Sequence, residues 1–153
     1  MHETLYFEDV HVGQRFETGK RVITADEIKR FAAEFDPQPF HLDEEAAAKS
    51  LFGALAASGW HTAALTMRLL VDSTAPMSGG AVGAGVEIGW TRPVRPGDEL
   101  HVVSEVLEAR ESASKPDRGL VTLRSETRNQ NGETVLRFKS NLIEFFPDEE
   151  PTP

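Results

Sequence analysis

The sequence predicts an α+β domain in which a curved antiparallel sheet wraps around one long buried helix. Three observations predict it. Helical spacing of apolar residues is confined mostly to the first half of the chain, and a two-residue alternation takes over from Val82 onward. Between the two regimes lies a helical segment that is apolar over most of its circumference. Helices followed by a run of antiparallel strands is the α+β order.

The elements follow in chain order. Thr24-Ala25-Asp26-Glu27 reads as a capping box, with Thr24 as N-cap and Glu27 reaching back. It opens a helix whose apolar positions are Ile28, Phe31, Ala32 and Phe35. Asp36-Pro37 ends it, because proline disfavours a helical residue before it. A second, short helix is expected from Glu44 to Lys49, capped by Asp43. The third runs from Ser58-Gly59 to about Val71; Trp60, Ala63, Ala64, Met67, Leu70 and Val71 form one stripe, and Leu65 and Leu69 widen it. From Val82, the residues Val82, Ala84, Val86, Ile88 and Trp90 alternate with Gly83, Gly85, Glu87, Gly89 and Thr91, which puts Trp90 on the core side. A turn-rich break at Arg92–Asp98 precedes strands expected at Leu100–Ala109, Leu120–Thr127 and Thr134–Phe146, the last two joined at Asn131-Gly132. A long helix lying in such a concave sheet is the hot-dog arrangement. The domain is expected to span residues 1–147, leaving 148–153 as an acidic, proline-containing tail.

Composition narrows the function classes. The 153 residues suffice for one domain with a real core. A formal net charge of −9, without clustered Lys or Arg, argues against a nucleic-acid partner, which needs cations to displace counterions. The chain has no cysteine, so disulfides, thiol nucleophiles and cysteine-ligated metals are excluded. The acidic N-terminus does not read as a secretory signal, and no apolar run approaches the roughly 20 residues of a membrane span. A cytoplasmic protein with no membrane partner is the expectation. No metal and no cofactor are expected, since His2, His11 and His101 have no second ligand at metal spacing. The GxxxxGK[ST], G-x-S-x-G and strand-borne GxGxxG patterns are absent, and the glycine-rich stretch 79–85 leads into a strand, where it favours curvature or close backbone approach.

The segment Phe35-Asp36-Pro37-Gln38-Pro39-Phe40-His41-Leu42-Asp43 carries the chemistry. Two prolines stiffen it, and it holds a carboxylate and an imidazole five positions apart, close enough to converge on one water. A histidine titrates near neutrality while an aspartate stays ionised, the combination that paired proton transfer requires. Asp before Pro at a helix end, and a His bonded to backbone, are also common structural features, so the residues alone leave both readings open.

This segment resembles the signature of the MaoC-like, R-specific enoyl-CoA hydratases, whose pattern is Gly-Asp-x-Asn-Pro-x-His. The helix before it, Ala46-Ala47 after it, Phe52-Gly53, Ser58-Gly59 and the turn Pro93-Val94-Arg95-Pro96-Gly97-Asp98 extend the resemblance from about Phe7 to Phe146. It implies a hot-dog fold, hydration of trans-2-enoyl thioesters or the reverse dehydration, an acyl-CoA or acyl-carrier substrate, and a homodimer or an assembly of dimers. It further implies that Asp36 helps deprotonate the attacking water, that His41 holds that water and passes its proton to the α-carbon, and that the Gly59 N–H donates to the thioester carbonyl. That last role also follows from the free N–H groups and partial positive charge of a helix N-terminus. Phe35 replaces the family's glycine, Gln38 its asparagine, Pro37 adds a proline, and Ala57-Ser58-Gly59-Trp60 stands where the family has His-Gly. These departures leave the acid–base pair intact and bear on the acyl pocket, for which Phe40, Ser58, Trp60 and His61 are the candidates. His61 reads first as a polar group satisfied by a sheet or partner backbone and only second as a substrate contact, and Asp72 reads as part of a helix C-terminus. Two alternatives remain: a hot-dog thioesterase using a carboxylate and the same helix end, and a non-catalytic acyl-thioester-binding module, which Phe35, Pro37 and Gln38 would favour.

Overall fold

The computed structural model describes residues 7–73, 82–115 and 117–145. The expected tail at 148–153 and the stretch 79–81 lie outside these residues, as does His2. The helices are α1 (Ala25–Phe35), α2 (Pro39–Leu42), α3 (Glu44–Ala48) and α4 (Gly59–Val71), and the strands are β1 (Arg15–Glu17), β2 (Arg21–Val22), β3 (Val82–Trp90), β4 (Glu99–Glu111), β5 (Arg118–Arg128) and β6 (Thr134–Phe145). Among the described residues, no helix is long and apolar enough to cross a membrane.

The caps form where the sequence places them. The Thr24 hydroxyl accepts the Glu27 N–H at 3.2 Å, and the Asp43 carboxylate accepts the Glu45 N–H at 2.9 Å. The sheet order is β1-β4-β5-β6-β3, antiparallel throughout, with β2 also beside β4. Strand alternation buries Leu100, Val102 and Val106 of β4, Val121 and Leu123 of β5, and Leu136, Phe138 and Leu142 of β6, where they meet Leu65, Leu69 and Leu70 of α4. The fold is hot-dog, as expected. The hydroxyls of Thr66 and Thr127, 2.5 Å apart, tie the helix to β5 within that core. At the β5–β6 hairpin the Asn129 side chain accepts the N–H groups of Asn131 and Glu133, at 3.0 and 3.1 Å.

Three expectations need correction. Strands β1 and β2 precede the helices and pair with β4; at three and two residues they are too short to show a period. Helix α4 buries one face only: His61, Thr62, Leu65, Thr66, Leu69 and Leu70 point inward, whereas Trp60, Met67 and Val71 are exposed. The alternation along β3 breaks at a register shift between Gly83 and Gly85, and Val82, Val86 and Trp90 are exposed. The apolar surface that the sequence assigns to the core thus lies outside it on both α4 and β3.

Candidate active site

Asp36 sits at the C-terminal end of α1, where its N–H still bonds the Ala32 carbonyl at 2.9 Å while Pro37 forces the chain out of the helix. His41 was expected on a stiff loop but lies on the single helical turn α2. Pro39 starts that turn because its fixed φ suits a first helical position, where no N–H is needed. The turn points the buried His41 ring back at Asp36, with Nε2 3.4 Å from Oδ2. The other ring nitrogen, Nδ1, donates to the Ala56 carbonyl at 2.6 Å. A carbonyl can only accept, so Nδ1 carries a proton, and a neutral ring therefore turns a lone pair toward the carboxylate. Two acceptors this close are best bridged by a molecule that donates to both, which water does.

Each carboxylate oxygen of Asp36 has its own donor. Gln38 Nε2 donates to Oδ1 at 2.6 Å and the Ser58 hydroxyl to Oδ2 at 2.7 Å. Partial burial pushes this carboxyl up, but the bonds from Ser58 and Gln38 and the nearby His41 outweigh it, holding the group below its ordinary value. Asp36 is therefore ionised at neutral pH.

The third component is the start of α4. Ser58 caps it, its hydroxyl accepting the Trp60 N–H at 3.3 Å and its carbonyl the N–H groups of His61 and Thr62 at 3.0 and 3.1 Å. The Gly59 N–H has no acceptor among the described residues. Gly59 lines a cavity of about 470 Å³ together with Asp36, His41, Phe40, Trp60 and Trp90. That volume suits a small-molecule group. Of the expected pocket residues, Phe40 and Trp60 line this cavity, while Ser58 and His61 do not. His61 stacks instead on Phe31 of α1, centroids 4.5 Å apart and planes within 6°. Its Nδ1 is buried without a partner among the described residues, and burial, with Arg21 nearby, lowers its pKa against the opposing pull of Glu27.

The family profile described as the MaoC like domain matches residues 8–129. This chain belongs to the MaoC-like family. It is similar to the crystal structure of a MaoC-like dehydratase from Rhodospirillum rubrum, at 56% identity and a TM-score of 0.91 over 95% of this chain and 99% of that one. It is 38% identical to a 3-hydroxybutyryl-CoA dehydratase of Methylorubrum extorquens over 105 residues, 68% of this chain and 65% of that protein. It is also 36% identical to the uncharacterised protein YdeM of Bacillus subtilis over 139 residues, 89% of this chain and 96% of that protein.

Three residues at or beside this cavity of the MaoC-like chain have a place that the sequence pattern did not reveal. Trp90, assigned there to the core, is 47% exposed and lines the cavity. Its indole N–H donates to the Gly59 carbonyl at 2.8 Å and its ring meets Trp60 edge-on at 5.3 Å. A Cβ on residue 59 would lie 2.6 Å from Trp90 Nε1, so the indole's close approach is what demands glycine there. Gln38 looked like a departure from the family pattern, yet it supplies the Oδ1 donor. Arg95, visible only as part of a turn, bonds the carbonyls of Phe52, Ala54 and Leu55 at 2.5, 2.7 and 3.3 Å. It thereby anchors the loop whose next carbonyl, that of Ala56, orients His41. The turn carrying Arg95 is itself closed by the Asp98 carboxylate, which accepts the Arg95 N–H at 2.9 Å, and by Gly97 at φ +86°.

Proposed function

We propose that the protein adds water to trans-2-enoyl thioesters, giving 3-hydroxyacyl thioesters, or runs the reverse dehydration. One observation carries this reading: Asp36 and His41, with Oδ2 and Nε2 3.4 Å apart, line one cavity with Gly59 at the N-terminus of α4, whose N–H has no acceptor among the described residues. A water held between the carboxylate and the imidazole loses a proton toward that pair as its oxygen attacks C3. Electron density moves through the conjugated system onto the thioester oxygen, where the Gly59 N–H and the helix dipole receive it. Comparable oxyanion donors contribute about 3–4 kcal/mol to the transition state. His41 then delivers the proton to C2, so the elements of water are added across the double bond. The similarity to dehydratases from two organisms supports the same chemistry. The test is loss of enoyl-thioester absorbance with a panel of short, long and branched acyl chains. Turnover of at least one of them is expected, and silence on all of them sinks the proposal.

The working unit in this reading is a homodimer. Among the described residues strand β3 ends the sheet, with no strand paired to its outer side, and its exposed Val82, Val86 and Trp90 accompany the exposed Trp60, Met67 and Val71 of α4. An unprotected edge beside contiguous apolar surface is a liability in a monomer. Pairing β3 with its copy would extend the sheet and cover both features next to the cavity. Sedimentation at micromolar concentration should give a species of twice 16.9 kDa or larger, and a purely monomeric species contradicts the dimer.

A further inference from the structure

Ser58 makes two bonds that no local role requires together. Its hydroxyl donates to Asp36 Oδ2 at 2.7 Å and accepts the Trp60 N–H at 3.3 Å, and the residue is completely buried. A serine that only caps a helix needs the second bond alone. A serine that only solvates a carboxylate has no need to sit at a helix start. One oxygen here joins the last residue of the α1 segment to the first turn of α4, across 22 positions of sequence. It does so on Oδ2, the carboxylate oxygen that approaches His41, while Gln38 takes the other.

We propose that Ser58 is a positioning residue that locks the Asp36 carboxylate to the N-terminus of α4, so that the proton-transfer pair and the Gly59 carbonyl donor move as one rigid unit. Productive hydration needs the water between Asp36 and His41 to face C3 while the thioester oxygen faces Gly59. Those two placements depend on the distance between the α1–α2 segment and α4. A displacement of about 1 Å between such groups can cost a hundredfold in rate. The hydroxyl fixes that distance through a bond whose donor residue is completely buried and whose acceptor is charged, which makes it strong. The same bond favours the ionised carboxylate, in line with the lowered position of the Asp36 carboxyl. The other ionisable groups lining the cavity are His41 and Arg92, both of which, when cationic, act in the same direction.

The inference rests on the hydratase reading, and its test keeps the two separable. Ser58→Gly removes the hydroxyl but, because glycine is itself a tolerated N-cap, costs the helix little. Ser58→Ala removes it with a larger capping loss, and Ser58→Thr retains it. The Asp36 carboxyl is followed directly by carbon-13 NMR titration, its signal identified by its absence in Asp36→Asn, alongside the pH profile of kcat/KM. In both Gly and Ala variants the Asp36 midpoint and the acidic limb of the rate should move together to higher pH, because the carboxylate loses a donor that favours its charged form. The sign is fixed: a depressed carboxyl stays ionised as pH falls, and loss of the bond ends that protection earlier. At the pH optimum kcat should drop by about tenfold or more, the scale of a misplaced catalytic group, with KM little changed. Ser58→Thr should hold the midpoint near that of the unmodified protein. An unmoved midpoint in the Gly and Ala variants overturns the inference whatever their activity, as does a shifted midpoint with unaltered kcat. An unmodified protein silent on every enoyl thioester overturns the hydratase reading and, with it, the link between Ser58 and catalysis.

Discussion

Asp36→Asn and His41→Ala should each lower the hydration rate by at least about a hundredfold, the usual scale for a positioned acid or base. Asparagine keeps the shape and one acceptor oxygen of Asp36, so the bonds to Gln38 and Ser58 can be partly retained while the negative charge is lost. The water then has no anion to receive its proton. His41→Ala removes the second arm and also leaves the Ala56 carbonyl, now 2.6 Å from Nδ1, without its buried donor. An unsatisfied buried acceptor costs about 1–3 kcal/mol, so melting curves must accompany the kinetics. The asparagine variant carries no such penalty, because Asp36 is only partly buried. Folded variants that turn over enoyl thioesters at near the unmodified rate would remove both residues from the chemistry.

Gly59→Val should lower turnover on the order of a hundredfold, through two effects that a companion variant separates. The new side chain obstructs the approach of the thioester oxygen to the Gly59 N–H. It also collides with the Trp90 indole, whose Nε1 lies 2.6 Å from the Cβ position and bonds the Gly59 carbonyl at 2.8 Å. Trp90→Phe removes that bond without adding anything at residue 59. A large loss in Gly59→Val with a small one in Trp90→Phe locates the effect at the N–H; equal losses locate it in the displaced indole. Normal turnover in Gly59→Val would show that no substrate oxygen docks at this helix end.

The sequence was informative wherever the signal was local. The Thr24 and Asp43 caps act within three residues, and the strand alternation of β4, β5 and β6 repeats every two. From these and the apolar run of α4, helices α1, α3 and α4, the main strands and the order of the α+β fold could be read, but not the single turn α2. The pair Asp36 and His41 was legible for the same reason, since five positions and two prolines keep them near each other whatever surrounds them.

Elements whose character depends on distant partners were read less well. Trp90 satisfies the apolar half of an alternating strand, so pattern alone sent it inward; β3 lies at the sheet edge, and the ring turns to the cavity instead. The outer face of α4 likewise looked like core because apolarity does not say which surface will cover it.

By itself, then, the sequence determined the fold class, the caps and the two residues, Asp36 and His41, that face each other at 3.4 Å. Only the tertiary structure decided what holds those residues in place: Ala56 on His41 across 15 positions, Ser58 on Asp36 across 22, and Trp90 on Gly59 across 31. The physical reason is one of range. Capping, proline geometry and side-chain alternation act over two to five residues and leave a pattern in the chain, whereas a hydrogen bond between packed elements forms only after hydrophobic burial has brought them together.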